Sequence, residues 1–246
     1  MKYSFLMPFY NRADSFIITL SSFKDLYRDR NDYEVIIIEE YKNIVNVDYH
    51  EKLKNAVAAF SPFISIKHIE YNAQPLFNPS ILYNFGSKFA SGSHLIITNP
   101  ECCHMVDILK GFDEEFVRNA KIYVACSCLA VRSKSTIFAT DKVIPENFTI
   151  IQWYNHTKHR NCNWHFCTCI SKESYCNFGG FDEEFSKGID FEDADFINTV
   201  RKSGLLVVPR DDLLTYHIEH DKSFLNQPNS GALKELNRIY YHTKWK

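Results

Sequence analysis

Four short stretches of this chain concentrate side chains able to do chemistry, and each follows a run that reads as a β-strand. The first is Pro8-Phe9-Tyr10-Asn11-Arg12, a rigid turn whose backbone amides, Tyr10 ring and Arg12 guanidinium suit a nucleotide. The same residues also make an ordinary strand-to-helix turn. The second is Glu39-Glu40, where adjacent carboxylates at a strand end can accept hydrogen bonds from a base or a ribose; a solvated loop reads the same way. The third is Thr98-Asn99-Pro100-Glu101. An oxygen donor at 99 and a carboxylate at 101, held by a proline, can aim at one hard divalent cation, although Asn-Pro is also a common turn. The fourth runs from Gly179-Gly180-Phe181-Asp182-Glu183-Glu184-Phe185 to Gly188-Ile189-Asp190-Phe191-Glu192-Asp193-Ala194-Asp195. Paired glycines permit a close backbone approach, and an acidic cluster opens a helix, with Asp190 as the expected N-cap. Acids there complement the helix dipole and need no catalytic role.

The elements that must carry these stretches follow from hydrophobic spacing. Tyr3 to Met7 is a short strand stopped by Pro8, and Phe16, Leu20, Phe23 and Tyr27 recur at helical spacing behind Asp14 or Ser15 as N-cap. Val35-Ile36-Ile37-Ile38 is continuously apolar and β-branched, as a central parallel strand buried on both faces must be. A helix through Leu53, Ala56, Val57 and Phe60, a strand from Phe63 to Ile69, a helix through Leu82, Phe85, Gly86 and Phe89 and a strand at Leu95-Ile96-Ile97-Thr98 complete a βαβαβαβ order. That order implies a doubly wound α/β sheet with functional loops beyond the C-terminal strand ends. Further on, Met105, Ile108, Leu109, Phe112 and Phe116 mark a helix, and strands are expected at Ile122 to Cys128, His165 to Ile170 and Leu205 to Val208. A helix from Phe191 to Ser203 is stopped by Gly204, and Leu233, Leu236, Asn237 and Tyr240 give a polar-rich terminal helix. Residues 140–164 read as a loop dense in His, Asn and aromatics.

Composition narrows the classes. The chain has 246 residues with 28 Lys plus Arg against 30 Asp plus Glu, so there is no basic excess to hold nucleic acid. No apolar run approaches the 18 residues that a membrane span needs, and Pro8 cuts short any leader, so a cytoplasmic protein without an integral membrane segment is expected. Eight cysteines are present without a C-x-x-C pair. Buried free thiols are the main expectation, with a zinc site at Cys162, His165 and Cys167, or disulfides, as alternatives. Asn147-Phe148-Thr149 and Asn155-His156-Thr157 fit the glycosylation sequon, which matters only in a secreted protein.

Taken together, the motifs resemble the family 2 glycosyltransferases, which have the GT-A fold. Pro8 to Arg12 is similar to their P-x-Y-N-R opening, Val35 to Glu40 to their acid-tipped second strand, and Phe77-Asn78-Pro79 with Asn84-Phe85-Gly86 and Ala90-Ser91-Gly92 to their following helix. Asn99-Pro100-Glu101 stands at the D-x-D metal motif, and Gly179 to Glu184 with Glu192-Asp193 resembles their G-G-F-D-E…E-D signature, which galactosyltransferase-type members share. The match spans roughly residues 3–220 in order and spacing. It implies a single α/β domain of Rossmann-like, doubly wound mixed sheet. A nucleotide-sugar half covers about 1–101, an acceptor half about 102–221 and a helical tail 222–246.

The implied reaction transfers a hexose from a nucleotide sugar, with UDP the commonest donor of this fold, to a hydroxyl of a glycan, lipid-linked or protein acceptor, with inversion. In that reading Asp193 is the general base and Glu192 orients the acceptor or hydrogen-bonds nearby backbone. Pro8, Phe9, Tyr10, Asn11, Arg12, Glu39, Asn84 and Asn99 bind the donor, while Glu101 and His217, with His220 as second candidate, hold Mn2+ or Mg2+. Trp153, Tyr154, His156, Gly180 and Asp182 meet the acceptor. The departure is N-P-E in place of D-x-D, which leaves the metal motif one carboxylate short. A catalytically silent sugar-nucleotide-, glycan- or protein-binding domain is therefore the alternative, with a nucleotidyltransferase behind it. The tail residues Tyr240, Tyr241, Lys244, Trp245 and Lys246 suit packing on the domain, a partner or peripheral contact with a membrane.

Overall fold

The computed structural model describes residues 1–40, 47–72, 78–133, 148–220 and 229–246. Phe77 of the helix motif, Asn147 of the first sequon and the start of the 140–164 loop lie outside the described residues.

The apolar runs become one nine-stranded mixed sheet. Its elements are β1 (Tyr3–Phe9), α1 (Ala13–Leu26), β2 (Tyr33–Glu40), α2 (Val47–Phe60), β3 (Ile66–Tyr71), α3 (Pro79–Ser87), β4 (His94–Thr98), β5 (Cys102–His104), α4 (Ile108–Arg118), β6 (Ile122–Ser133), β7 (Phe148–Asn155), β8 (Cys167–Ser171), α5 (Lys172–Asn177), α6 (Glu192–Lys202), β9 (Leu206–Ile218) and α7 (Ser230–Lys244), with a 3-10 turn at Glu183–Lys187. The spatial order is β3-β2-β1-β4-β8-β6-β9-β5, with β7 also on β6. The first four strands are mutually parallel; β8 joins β4 antiparallel, and β6 and β9 run parallel to each other.

Successive strand residues point to opposite faces, and the core divides accordingly. Phe5, Met7, Val35 and Ile37 pack with Phe16, Leu20 and Phe23 of α1, Leu53 of α2 and Phe112 of α4. Leu6, Ile36 and Ile38 pack on the other face with Leu82 and Tyr83 of α3 and Phe196, Ile197 and Val200 of α6. Burial of each such side chain contributes about 1.5–3 kcal/mol, so both faces hold the central strands in place.

Several expectations are corrected. α1 is capped by Arg12 through its backbone, not by Asp14 or Ser15, because Pro8 to Asn11 already turns the chain. Phe63 stays out of β3 and lies beneath the Lys24 ammonium, 4.0 Å from the ring centre. The 140–164 loop contains β7, whose Ile150 and Ile151 are exposed and so give no alternating pattern to read. β9 continues ten residues beyond Val208, past Arg210, Asp211 and Asp212 at a register shift that hides its continuity in sequence. α6 is preceded by Phe191, not capped by Asp190, and both residues have left-handed backbones (φ 75° and 64°). All eight cysteines are free. Cys162 Sγ faces the Tyr154 carbonyl, Cys167 faces His104 and His165 faces Asp193, so the zinc alternative does not assemble.

Candidate functional site

The loops beyond β1, β4 and β9 and the start of α6 enclose a cavity of about 380 Å3. Its wall holds Pro8, Tyr10 and Arg12 from the first stretch, Asn99 to Glu101 from the third, Asp190, Glu192 and Asp193 from the fourth, and His217 and His220 from the end of β9 and just beyond.

Glu101, His217 and His220 form a compact set of ligand atoms, all within 4.8 Å of one another. His217 Nε2 and His220 Nε2 lie 3.3 and 3.1 Å from Glu101 Oε1. The topology explains this convergence: β5 pairs antiparallel with β9, and Cys102, next to Glu101, lies opposite His217. Burial alone would raise the Glu101 carboxyl, yet hydrogen bonds and charge from the two imidazoles hold it well below the ordinary carboxylate range. Glu101 Oε2 and His217 Nδ1 are buried without a hydrogen-bond partner, and Arg12 Nε stands 4.0 Å from that oxygen. Two imidazoles and a carboxylate with one orphaned oxygen make a donor set that fits a divalent transition metal. Asn99, the neutral residue of the motif, instead accepts a 3.0 Å hydrogen bond from Tyr83 Oη.

Glu192 and Asp193 enter the cavity together from the first turn of α6. The strained pair Asp190-Phe191 turns the chain there, and such strain is tolerated where the surroundings over-determine it. Burial, with Asp193 beside it, pushes the Glu192 carboxyl up to about 8, and its Oε2 is buried without a partner. Burial also raises Asp193, but His165, whose Nδ1 is 3.1 Å from Asp193 Oδ1, and Arg160 favour its ionised form. The environments thus divide two adjacent acids into one that keeps its proton near neutrality and one that gives it up first.

Strand alternation decides which of the remaining expected residues reach the cavity. Pro8 and Tyr10 line it, whereas Phe9 between them is buried in the core. Gln152 and Tyr154 line it, whereas Trp153 turns away and stacks on His159, with ring centres 5.3 Å apart. His156 also lies outside the wall, its Nδ1 accepting from the Lys158 amide. Asn11 takes a left-handed backbone (φ 50°) in the first turn, outside the wall. Glu39 lies outside the wall too, its Oε2 held by His50 and His68.

Asn84, Gly180 and Asp182 support the site from behind. Asn84 accepts from the Phe181 amide and donates to the Phe181 carbonyl, fixing the Gly-Gly turn. Gly180 has φ 73°, and a Cβ there would meet Asn84 Oδ1 at 2.3 Å. Asp182 caps the 3-10 turn and accepts from Tyr240 Oη and Lys244 Nζ of α7. Lys244 Nζ and Trp245 Nε1 both reach buried Asp195, so the tail packs on its own domain behind the acidic stretch.

Sequence reasoning did not single out Arg160 and Trp164. The Arg160 guanidinium sits 4.7 Å above the Trp164 ring in the cavity wall. Their signal was the aromatic density of the 140–164 loop, which does not say which members face inward.

The mixed sheet with helices on both faces has the GT-A fold. Among solved structures, the chain is similar to S. aureus TarS in complex with UDP-GlcNAc, at 15% identity and TM-score 0.66 over 97% of this chain and 65% of that one. It is also similar to the mannosyltransferase PcManGT from Pyrobaculum calidifontis in complex with GDP-Man and Mn2+, at 11% identity and TM-score 0.63 over 97% and 64% of the two chains. A third similar structure is GalNAc-T7 with UDP, GalNAc and Mn2+, at 13% identity and TM-score 0.65 over 90% and 44%. The chain thus spans less than two thirds of the length of each of these three structures. No protein-family model matches it, and no curated protein sequence does. No helix among the described residues is long and apolar enough to cross a membrane.

Proposed function

We propose that the chain is a metal-dependent glycosyltransferase that moves a hexose from a nucleotide sugar to an acceptor hydroxyl with inversion. The observation that carries this reading is the meeting, in one cavity, of the Glu101–His217–His220 set and the Glu192–Asp193 pair. The similar structures carrying UDP-GlcNAc, GDP-Man with Mn2+ and UDP with Mn2+ support it.

A Mn2+ or Mg2+ ion held by Glu101, His217 and His220 would supply positive charge to the leaving diphosphate. Pro8 and Tyr10 take the nucleoside end of the donor, and Arg12 faces its phosphates. The acceptor enters against Gln152, Tyr154 and Trp164. Asp193 accepts the proton of the attacking hydroxyl as its oxygen bonds the anomeric carbon, and the diphosphate departs with the electrons of the broken bond. Glu192, protonated near neutrality, donates a hydrogen bond to the acceptor and adds no second charge beside the base. The silent-domain alternative rested on neutral Asn99; the two imidazoles provide the metal donors that Asn99 lacks.

The test is a thermal-shift panel of UDP, GDP, dTDP and CMP, with and without Mn2+, followed by transfer assays with the sugar form of whichever nucleotide binds. A rise in Tm for one nucleoside diphosphate that needs the metal is expected. No shift with any nucleotide defeats the reading.

A further inference from the structure

A buried histidine stands directly behind Asp193. Trp164 and Phe166 line the cavity, whereas His165 between them lies off its wall and is 4% exposed. The backbone that delivers it is fixed. Asn163 takes a left-handed turn (φ 58°), its amide donates to Asn155 Oδ1 at 2.9 Å, and its carbonyl accepts from Tyr123 Oη at 3.1 Å. The imidazole then meets the rings of Tyr83 from α3, Phe181 from the Gly-Gly turn and Phe196 from α6 nearly edge to face, at 87°, 80° and 78°. Rings from three elements leave the imidazole plane little room to turn, because packed interiors hold side chains in single rotamers.

His165 Nδ1 is buried and makes no hydrogen bond to any other described group, while Asp193 Oδ1 stands 3.1 Å from it. Burial lowers the pKa of the imidazole and so favours its neutral form. A neutral ring carries one N–H hydrogen, and placing it on Nδ1 satisfies a buried donor and one carboxylate oxygen together. In apolar surroundings such a contact is stronger than in water. The Asp193 side chain is 30% exposed and lines the cavity, so it meets His165 on one side and the substrate space on the other.

We propose that His165 is the positioning residue of the base: its Nδ1–H holds Asp193 Oδ1 and so reserves Oδ2 for the acceptor hydroxyl. This role rests on the transferase reading given above. The proton of the acceptor hydroxyl passes to Oδ2, its oxygen bonds the anomeric carbon, and the diphosphate leaves with the electrons of the broken bond. His165 neither takes nor gives a proton in this step. Without it the carboxylate turns between rotamers, and fewer complexes hold an oxygen aligned with the attacking hydroxyl.

The test joins a spectroscopic and a kinetic measurement on the whole chain. Heteronuclear NMR of the imidazole nitrogens reads the His165 tautomer, its signal assigned by its absence from His165→Asn. A hydrogen on Nδ1 whose signal moves in Asp193→Asn is expected; a hydrogen on Nε2 overturns the proposal. Turnover is read as release of the nucleoside diphosphate from UDP-GlcNAc, UDP-glucose, UDP-galactose and GDP-Man with Mn2+, water serving as the acceptor. His165→Phe should lower kcat about 10–100-fold at unchanged donor KM, with the metal-dependent nucleotide Tm shift retained. His165→Asn places an amide N–H where Nδ1 stands and should recover most of that loss, whereas His165→Gln places it at the Nε2 position and should not. Wild-type kcat in His165→Phe, or equal activity in the Asn and Gln variants, overturns the role of His165 and leaves the transferase reading standing. If His165→Phe does not fold, the Asn–Gln comparison decides alone. A wild type that neither turns over any donor nor shifts with any nucleotide defeats the transferase reading, and this role with it.

Discussion

The two histidine–carboxylate clusters use the same residue types and differ in wiring. At the cavity, two segments distant in sequence bring Glu101 together with His217 and His220, and one oxygen of Glu101 remains without a hydrogen-bond partner. At the sheet edge, β2, α2 and β3 follow one another in the chain, and Glu39 Oε2 is already held between two imidazoles. The first arrangement faces a cavity that also holds an acid pair. The second closes on itself through hydrogen bonds. Residue type therefore does not tell the two clusters apart; the orphaned atom and the neighbouring space do.

The sharpest way to break this contrast is Asp193→Asn, which should lower transfer by about 10²–10⁴ while the metal-dependent nucleotide shift persists. Undiminished turnover in a steady-state assay would remove Asp193 from the mechanism. Next, His217→Ala should abolish the metal-dependent part of the nucleotide shift, whereas His50→Gln should leave it intact; equal losses would merge the two clusters into one functional unit.

A third distinction is electrostatic. The Glu192 carboxyl sits at about 8 in the folded chain against roughly 4.3 when unfolded. Between those values the native state holds the extra proton, so this residue's contribution falls as pH rises through that window. Glu192→Gln should therefore lose less Tm than wild type between pH 5 and pH 8, as followed by calorimetry; parallel curves would show that Glu192 titrates normally.

Smaller effects concern the supports. Gly180→Ala should cost about 1–3 kcal/mol, because its φ of 73° is strained for alanine and the new Cβ collides with Asn84. Lys244→Ala should cost about 1–2 kcal/mol, a few degrees in Tm, since Trp245 still donates to Asp195. Calorimetry checks both, and an unchanged Tm in either variant would remove that residue from the supports.

Much of this was legible because the physics is local. Val35 to Ile38 has no polar face, so only a strand covered on both sides suits it, and Pro8 marks the end of β1. The sequence motifs pointed to Glu101, His217, Glu192 and Asp193, which the fold does bring to one cavity. What stayed hidden depends on direction. Trp153 and Tyr154 are adjacent aromatics in a loop-like stretch, and only the pleat of β7 shows that one faces inward. β9 was cut short because charged residues at its register shift look like a turn. Asn84 and Asp182 sit in motif positions yet hold backbone and tail, a role visible only from their partners. The Glu39–His50–His68 group was missed because its members are polar residues on three elements whose faces sequence periodicity does not resolve.

The pairing of Cys102 with His217 also bears on how the chain reaches its native state. β8 is wedged between β4 and β6, and β9 between β6 and β5, so the sheet cannot be completed in chain order. Such non-local pairing slows folding, because long loops must close before any contact rewards them. The cavity cluster is assembled by one of the longest closures in the molecule, while the edge cluster needs only the first seventy residues. During refolding, the contacts of Glu39 should form first and those between Glu101 and His217 last, which makes the cavity cluster a report on completion of the whole sheet.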